Sequence, residues 1–78
     1  MTWSVKKVRR ALRRLQLKPL AKRTATSHEF WGNDNGRRVQ LARKGSIVPH
    51  LFLHILAGQI QNHGICSARE FKQLMRSE

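Results

Sequence analysis

Asn33-Asp34-Asn35-Gly36 is the segment that most narrows the folds open to this chain. Asn and Gly accept a positive φ at low cost, so four such residues between two strand-like runs predict a β-hairpin. The flanking runs are His28 to Trp31 and Arg37 to Ala42, and Leu17 to Thr24 reads as a further short strand. Pro19 has no backbone donor, which confines that strand to an edge or to a start at this residue. Alternation places Phe30, Val39 and Leu41 on one face, with Trp31, Arg38 and Gln40 on the other. The expected sheet is antiparallel and three-stranded, covered by helices on one side. Its other side is polar and carries one exposed indole, that of Trp31.

Both ends of the chain carry the helical period instead. From Thr2 to Gln16, Val5, Val8, Ala11, Leu12 and Leu15 fall on one arc, and Lys6, Lys7, Arg9, Arg10, Arg13 and Arg14 fill the opposite one. Thr2 or Ser4 is placed to cap the start, and the helix must end before Pro19. A second helix is expected from Val48 or Pro49 to Asn62. Its apolar arc is Phe52, Leu53, Ile55, Leu56 and Ile60, with His50, His54 and Gln61 opposite, and Gly64 stops it. Ser67-Ala68-Arg69-Glu70 has the Ser-x-x-Glu capping form and opens a short last helix with Phe71, Leu74 and Met75. The expected fold is therefore α+β, in two layers, as a single domain over residues 1–78.

Charge sets the chemistry. Sixteen Lys and Arg face four acids, a net charge of +12. That excess implies nucleic acid, an anionic membrane surface or an acidic protein as partner. The acids are Glu29, Asp34, Glu70 and Glu78, too few and too scattered for a two-metal nuclease. Any nuclease activity is expected to be metal-independent, with no cofactor. The most apolar stretch, Ile47 to Ala57, is interrupted by Pro49, His50 and His54, so no membrane span is expected. The basic N-terminal segment is amphipathic and lacks a following apolar core, so no signal peptide is expected. Cys66 is the lone cysteine, which suits a reducing cytoplasm.

His28 is the candidate for chemistry. A neutral imidazole can take the proton of an RNA 2′-hydroxyl, the internal nucleophile beside each phosphate. Lys22, Arg23, Arg37, Arg43 and Lys44 lie near it in the hairpin and are candidates to stabilise the charge that builds on the phosphoryl oxygens. Arg38 and Trp31, on the open face, and Ser27 beside His28 are candidates to contact RNA, Trp31 by stacking a base. The alternative for His28 is a structural histidine at the core's periphery, and spacing alone favours that alternative. His50 and His54 have a zinc-compatible spacing but no acid or Cys nearby, so both are expected to face solvent and no metal is expected.

The order of parts resembles the HicA-type (YcfA-like) toxins of type II toxin–antitoxin systems. The likeness rests on the basic first helix, Leu17 near the first strand, Thr26-Ser27-His28-Glu29-Phe30-Trp31, the hairpin, Arg38-Val39-Gln40-Leu41, and Gly64-Ile65-Cys66-Ser67-Ala68-Arg69-Glu70-Phe71. The family motif reads Gly-Ser-His-His-x-aromatic, so Thr26 stands for its glycine and Glu29 for its second histidine. Ala42-Arg43-Lys44 stands for the family's Pro-x-His. The resemblance implies a double-stranded-RNA-binding-domain-like αβββα fold and an mRNA-cleaving endoribonuclease (mRNA interferase). It carries the catalytic role onto His28 and matches Ser27 to the motif serine. It also implies an acidic HicB-type antitoxin as partner, the chain being a monomer when free and a hetero-oligomer with that antitoxin. A non-catalytic RNA-binding module on the same fold is the second reading; a basic adaptor or DNA-binding protein is a third, which no helix-turn-helix pattern supports.

Overall fold

The computed structural model describes residues 2–20 and 28–77. Eight elements follow in order: β1 (Thr2–Ser4), α1 (Val5–Arg14), β2 (Lys18–Pro19), β3 (His28–Gly32), β4 (Arg38–Ala42), β5 (Ile47–Pro49), α2 (His50–Asn62) and α3 (Ala68–Ser77). The fold is α+β, with three helices and an antiparallel three-stranded sheet in the order β2-β3-β4. Pro19 sits in an edge strand, where its missing donor breaks no ladder.

A second, two-stranded pairing of β1 with β5 was not anticipated. Thr2 pairs with Pro49, Trp3 with Val48 and Ser4 with Ile47. The first residues expected to be helical are therefore extended. Ser4 caps α1, its hydroxyl accepting from the Lys7 N–H at 3.1 Å. The Val5 N–H, one of the helix's orphan donors, is taken by the Ser46 carbonyl at 2.9 Å.

α1 and α2 end in the same way. The Gln16 N–H bonds the Arg13 carbonyl and the Leu17 N–H bonds the Leu12 carbonyl, with Gln16 at φ 66°. After α2 the Gly64 N–H bonds Gln61 and the Ile65 N–H bonds Ile60, with Gly64 at φ 72°. Both are Schellman closures, which return the chain sharply against its helix. α3 opens with the expected capping box: the Glu70 N–H donates to the Ser67 hydroxyl at 3.0 Å, and the Ser67 N–H to the Glu70 carboxylate at 3.2 Å.

The hairpin loop is one residue longer than the turn read from sequence, and that residue reverses the faces of β3. Five residues, Asn33 to Arg37, join the strands, closed by the Asn33 N–H on the Arg37 carbonyl at 3.1 Å. The Asn33 side-chain oxygen accepts from the Asn35 and Arg37 amides at 3.0 and 3.2 Å, and Gly36 takes φ 79°. Trp31 then pairs with Val39 and Glu29 with Leu41, while Phe30 pairs with Gln40 and His28 with Ala42. A shift of one residue exchanges the two sides of a strand. Trp31 is accordingly core, 1% exposed, and Phe30 is the outward ring at 38%. The expected grouping of Phe30 with Val39 and Leu41 does not hold.

α1 lies over the Trp31 face, with Arg13 above the indole ring at 5.5 Å and Arg9 reaching Glu29. Val5, Val8, Ala11 and Leu12 of α1 join Trp31, Val39 and Leu41 in the core, together with Leu53, Leu56, Ala57 and Ile60 of α2 and Phe71 and Met75 of α3. Ile55, placed on the apolar arc of α2 by its sequence, is 53% exposed, because the buried arc centres on Leu53, Leu56 and Ile60.

Candidate functional site

His28 begins β3 on the outward side of the sheet, with Phe30, and across the ladder Arg38, Gln40 and Ala42 share that side. This is the face away from the core, whereas strand alternation from Phe30, expected on the helix-covered side, puts His28 at the rim of that side. The imidazole is exposed. It lines a cavity of about 230 Å³ with Gln40, Ala42, Phe52, Ile55 and Gln59. The groove forms because α2 runs along the free edge of β4. Gln59 fixes that edge: its Oε1 accepts the Gln40 N–H at 2.8 Å and its Nε2 donates to the Gln40 carbonyl at 3.1 Å. An amide side chain stands in for a neighbouring strand.

The basic residues expected around His28 divide sharply. Lys44 is near the groove, its ammonium 5.9 Å from the centroid of the Phe52 ring that lines it. Arg38 shares the outward face but lies at the far end of β4, opposite Gly32. Arg37 is in the hairpin loop, exposed, its backbone engaged in closing the turn. Arg43 is drawn elsewhere. Its Nε donates to Glu29 Oε2 at 2.8 Å and its Nη1 to the Gly45 carbonyl at 2.7 Å. Lys22, Arg23 and Ser27 lie outside the described residues.

Trp31 cannot stack a base. It is buried beneath Arg13, and its indole N–H donates to Glu29 Oε1 at 3.2 Å. Phe30 and Phe52 are the rings on the groove side.

Glu29 gathers the other polar contacts on the core side of β3. Arg9 donates to both carboxylate oxygens, Nε to Oε1 at 3.2 Å and Nη2 to Oε2, and Arg43 and Trp31 complete the set. Burial alone would raise this carboxyl. The hydrogen bonds from Arg9 and Trp31, the Arg9 charge and the bond from Arg43 outweigh it and hold the pKa below the ordinary value. The sequence places Arg9 on the basic arc of the first helix and Gln40 on the open face, but gives no pairing of Arg9 with Glu29 or of Gln40 with Gln59. The available signal was chain-wide: with sixteen cations for four acids, an acid that is part-buried is expected to be paired.

Other candidates resolve as packing or surface. Cys66 is half-buried against the core, and burial, then Glu70, push its thiol up. His50 and His54 are exposed and touch through their Nε2 atoms at 2.9 Å. Among the described residues no group of three His, Cys, Asp or Glu could hold a metal ion, and no helix is long and apolar enough to cross a membrane. Comparison of the chain with protein-family models, curated proteins and solved structures gives no match.

Proposed function

We propose that this chain is the toxin of a type II toxin–antitoxin system, a metal-independent endoribonuclease that cuts mRNA in the cytoplasm with His28 as general base. One observation carries the reading. In a chain of net charge +12, an exposed imidazole lines a groove with an amide and an aromatic ring, on the open face of a sheet. Neutral His28 takes the 2′-hydroxyl proton, and the 2′-oxygen attacks the adjacent phosphorus. The bond to the 5′-oxygen breaks, that oxygen takes up a proton, and a 2′,3′-cyclic phosphate remains. Lys44, beside Phe52, is the described cation best placed to meet the phosphoryl charge. Phe30, outward on the same face, offers a stacking surface. An acidic HicB-type antitoxin is the partner such a surface fits, since opposite charge speeds encounter.

The second reading, a non-catalytic RNA-binding module, is favoured by the capture of Arg43. A cation expected to serve the phosphate is spent on Glu29 and Gly45. Wild type and His28→Ala separate the two. Growth arrest and decay of a labelled transcript, with EDTA present, are expected for wild type and lost in the variant. Equal cutting by both proteins removes His28 from catalysis. Salt-dependent RNA binding by both, without cutting by either, establishes the module.

A further inference from the structure

α3 presents a second basic surface, separate from the His28 groove and unassigned by the reading above. Arg69, Lys72, Gln73 and Arg76 line a cavity of about 340 Å³. Their spacing of three and four residues sets them on one arc of the helix. The arc rises about 10 Å from Arg69 to Arg76 at 1.5 Å per residue. The helix's own acid, Glu70, is turned to the cap at Ser67.

A smaller cavity of about 120 Å³ adjoins it, lined by Trp3, His50, Leu53, Lys72 and Arg76. Among the described residues, the Trp3 indole N–H is buried without a hydrogen-bond partner. Lys7 of α1 lies over the same ring at 5.4 Å. Lys72 is held in place by a neutral imidazole: its Nζ is 2.9 Å from His54 Nδ1, and His54 Nε2 is 2.9 Å from His50 Nε2. The ammonium can only donate, so His54 accepts at Nδ1 and carries its proton on Nε2. The proximity of Lys72 keeps this histidine's pKa down, consistent with that arrangement.

We propose that the arc Arg69–Lys72–Arg76 binds the phosphate backbone of a single RNA strand. This rests on RNA being the ligand of the His28 groove. α2 connects the two surfaces, since Phe52, Ile55 and Gln59 line the groove on one flank, and His50 and Leu53 line the smaller cavity on the other. A strand crossing α2 reaches both. The lining of the larger cavity favours a phosphate chain over an acidic protein. It holds three cations and an amide with no apolar side chain, whereas a protein interface needs an apolar centre and a phosphate chain needs charge alone.

The test measures anisotropy of a fluorescein-labelled 12-nucleotide RNA carrying 2′-deoxy substitutions, titrated with wild type and with Arg69→Gln/Lys72→Gln/Arg76→Gln across a salt series. The triple variant is expected to bind at least about tenfold more weakly at 100 mM salt, with a slope of log K against log salt shallower by about 2. Lys72→Gln alone should lower the slope by about 0.7, which keeps the test open if the triple variant misfolds. Unchanged affinity and slope overturn the proposal. So does a polyglutamate of equal charge that binds wild type as tightly as the RNA and loses more on substitution, which makes the surface a protein site. Transcript cutting is read separately with His28→Ala, so loss of the nuclease reading leaves this binding result interpretable.

Discussion

Gln59 and Gln40 are joined twice, the side-chain amide of one closing on both backbone groups of the other at 2.8 and 3.1 Å. The contact finishes the edge of β4 and sets one wall of the His28 groove. Gln59→Leu keeps the volume and leaves a part-buried donor and acceptor without partners. A loss of about 1–3 kcal/mol in urea unfolding is expected. Gln59→Glu keeps the acceptor but sets a carboxylate oxygen against the Gln40 carbonyl, so it too should be less stable than wild type at neutral pH. A leucine variant as stable as wild type would mean that water serves the edge equally well.

Glu29 gives the fold a defined response to acid. Its carboxyl is held below the ordinary value of 4.5, so its contribution to stability is complete above that pH. It is lost as pH falls through the depressed folded value. Glu29→Gln should therefore be less stable than wild type by about 1–3 kcal/mol at pH 7. The two should converge as pH falls through that depressed value. A gap that stays constant down to the acid limb, where wild type itself unfolds, contradicts the role of the charge.

The two adjacent aromatics of β3 should separate cleanly on substitution. Trp31→Ala opens the core and is expected to cost about 3–5 kcal/mol. Phe30→Ala removes an outward ring and should change stability by less than about 1 kcal/mol while weakening RNA binding, since stacking on one ring is worth about 1–3 kcal/mol per base. Thermal melts and RNA anisotropy on the same pair of variants read both effects. The reverse pattern would restore the opposite face assignment.

Two helices with one closure offer an internal comparison. Gln16 adopts φ 66° where α2 uses Gly64 at φ 72°. A left-handed conformation costs an L-residue about 1 kcal/mol relative to glycine. Gln16→Gly is thus expected to raise the unfolding free energy by about 0.5–1 kcal/mol, and Gly64→Ala to lower it by a similar amount. Melting temperatures moving in the same direction for both would refute the shared geometry.

The elements that could be read from sequence are those whose signal is local. Ser67 and Glu70 satisfy each other's amides within one turn, and Gly64 and Pro19 carry their constraints in their own backbones. What could not be read depended on counting across space. Whether Phe30 or Trp31 faces inward turns on Arg37 belonging to the loop and not to the strand. β1 is invisible because Thr2-Trp3-Ser4 merges with the helical period that begins at Val5, and its partner lies at Ile47–Pro49. His28 was identified by type as a proton-transfer group, but its wall partners Phe52, Ile55 and Gln59 come from a helix distant in sequence. Arg43 was read as a cation near phosphate, and its engagement by Glu29 follows from a fold contact that pairwise spacing does not encode.

The pairing of Thr2 with Pro49 also imposes a timetable on synthesis. β1 leaves the ribosome with no partner, and at 5–20 residues per second β5 follows roughly 2–9 s later. Until then the Val5 amide lacks its acceptor at Ser46, and the apolar side of α1 lacks the strands and helices that cover it. Throughout that interval the ten residues of α1, too short to hold a helix by themselves, stay uncovered, so the first helix of the chain is among the last to be secured.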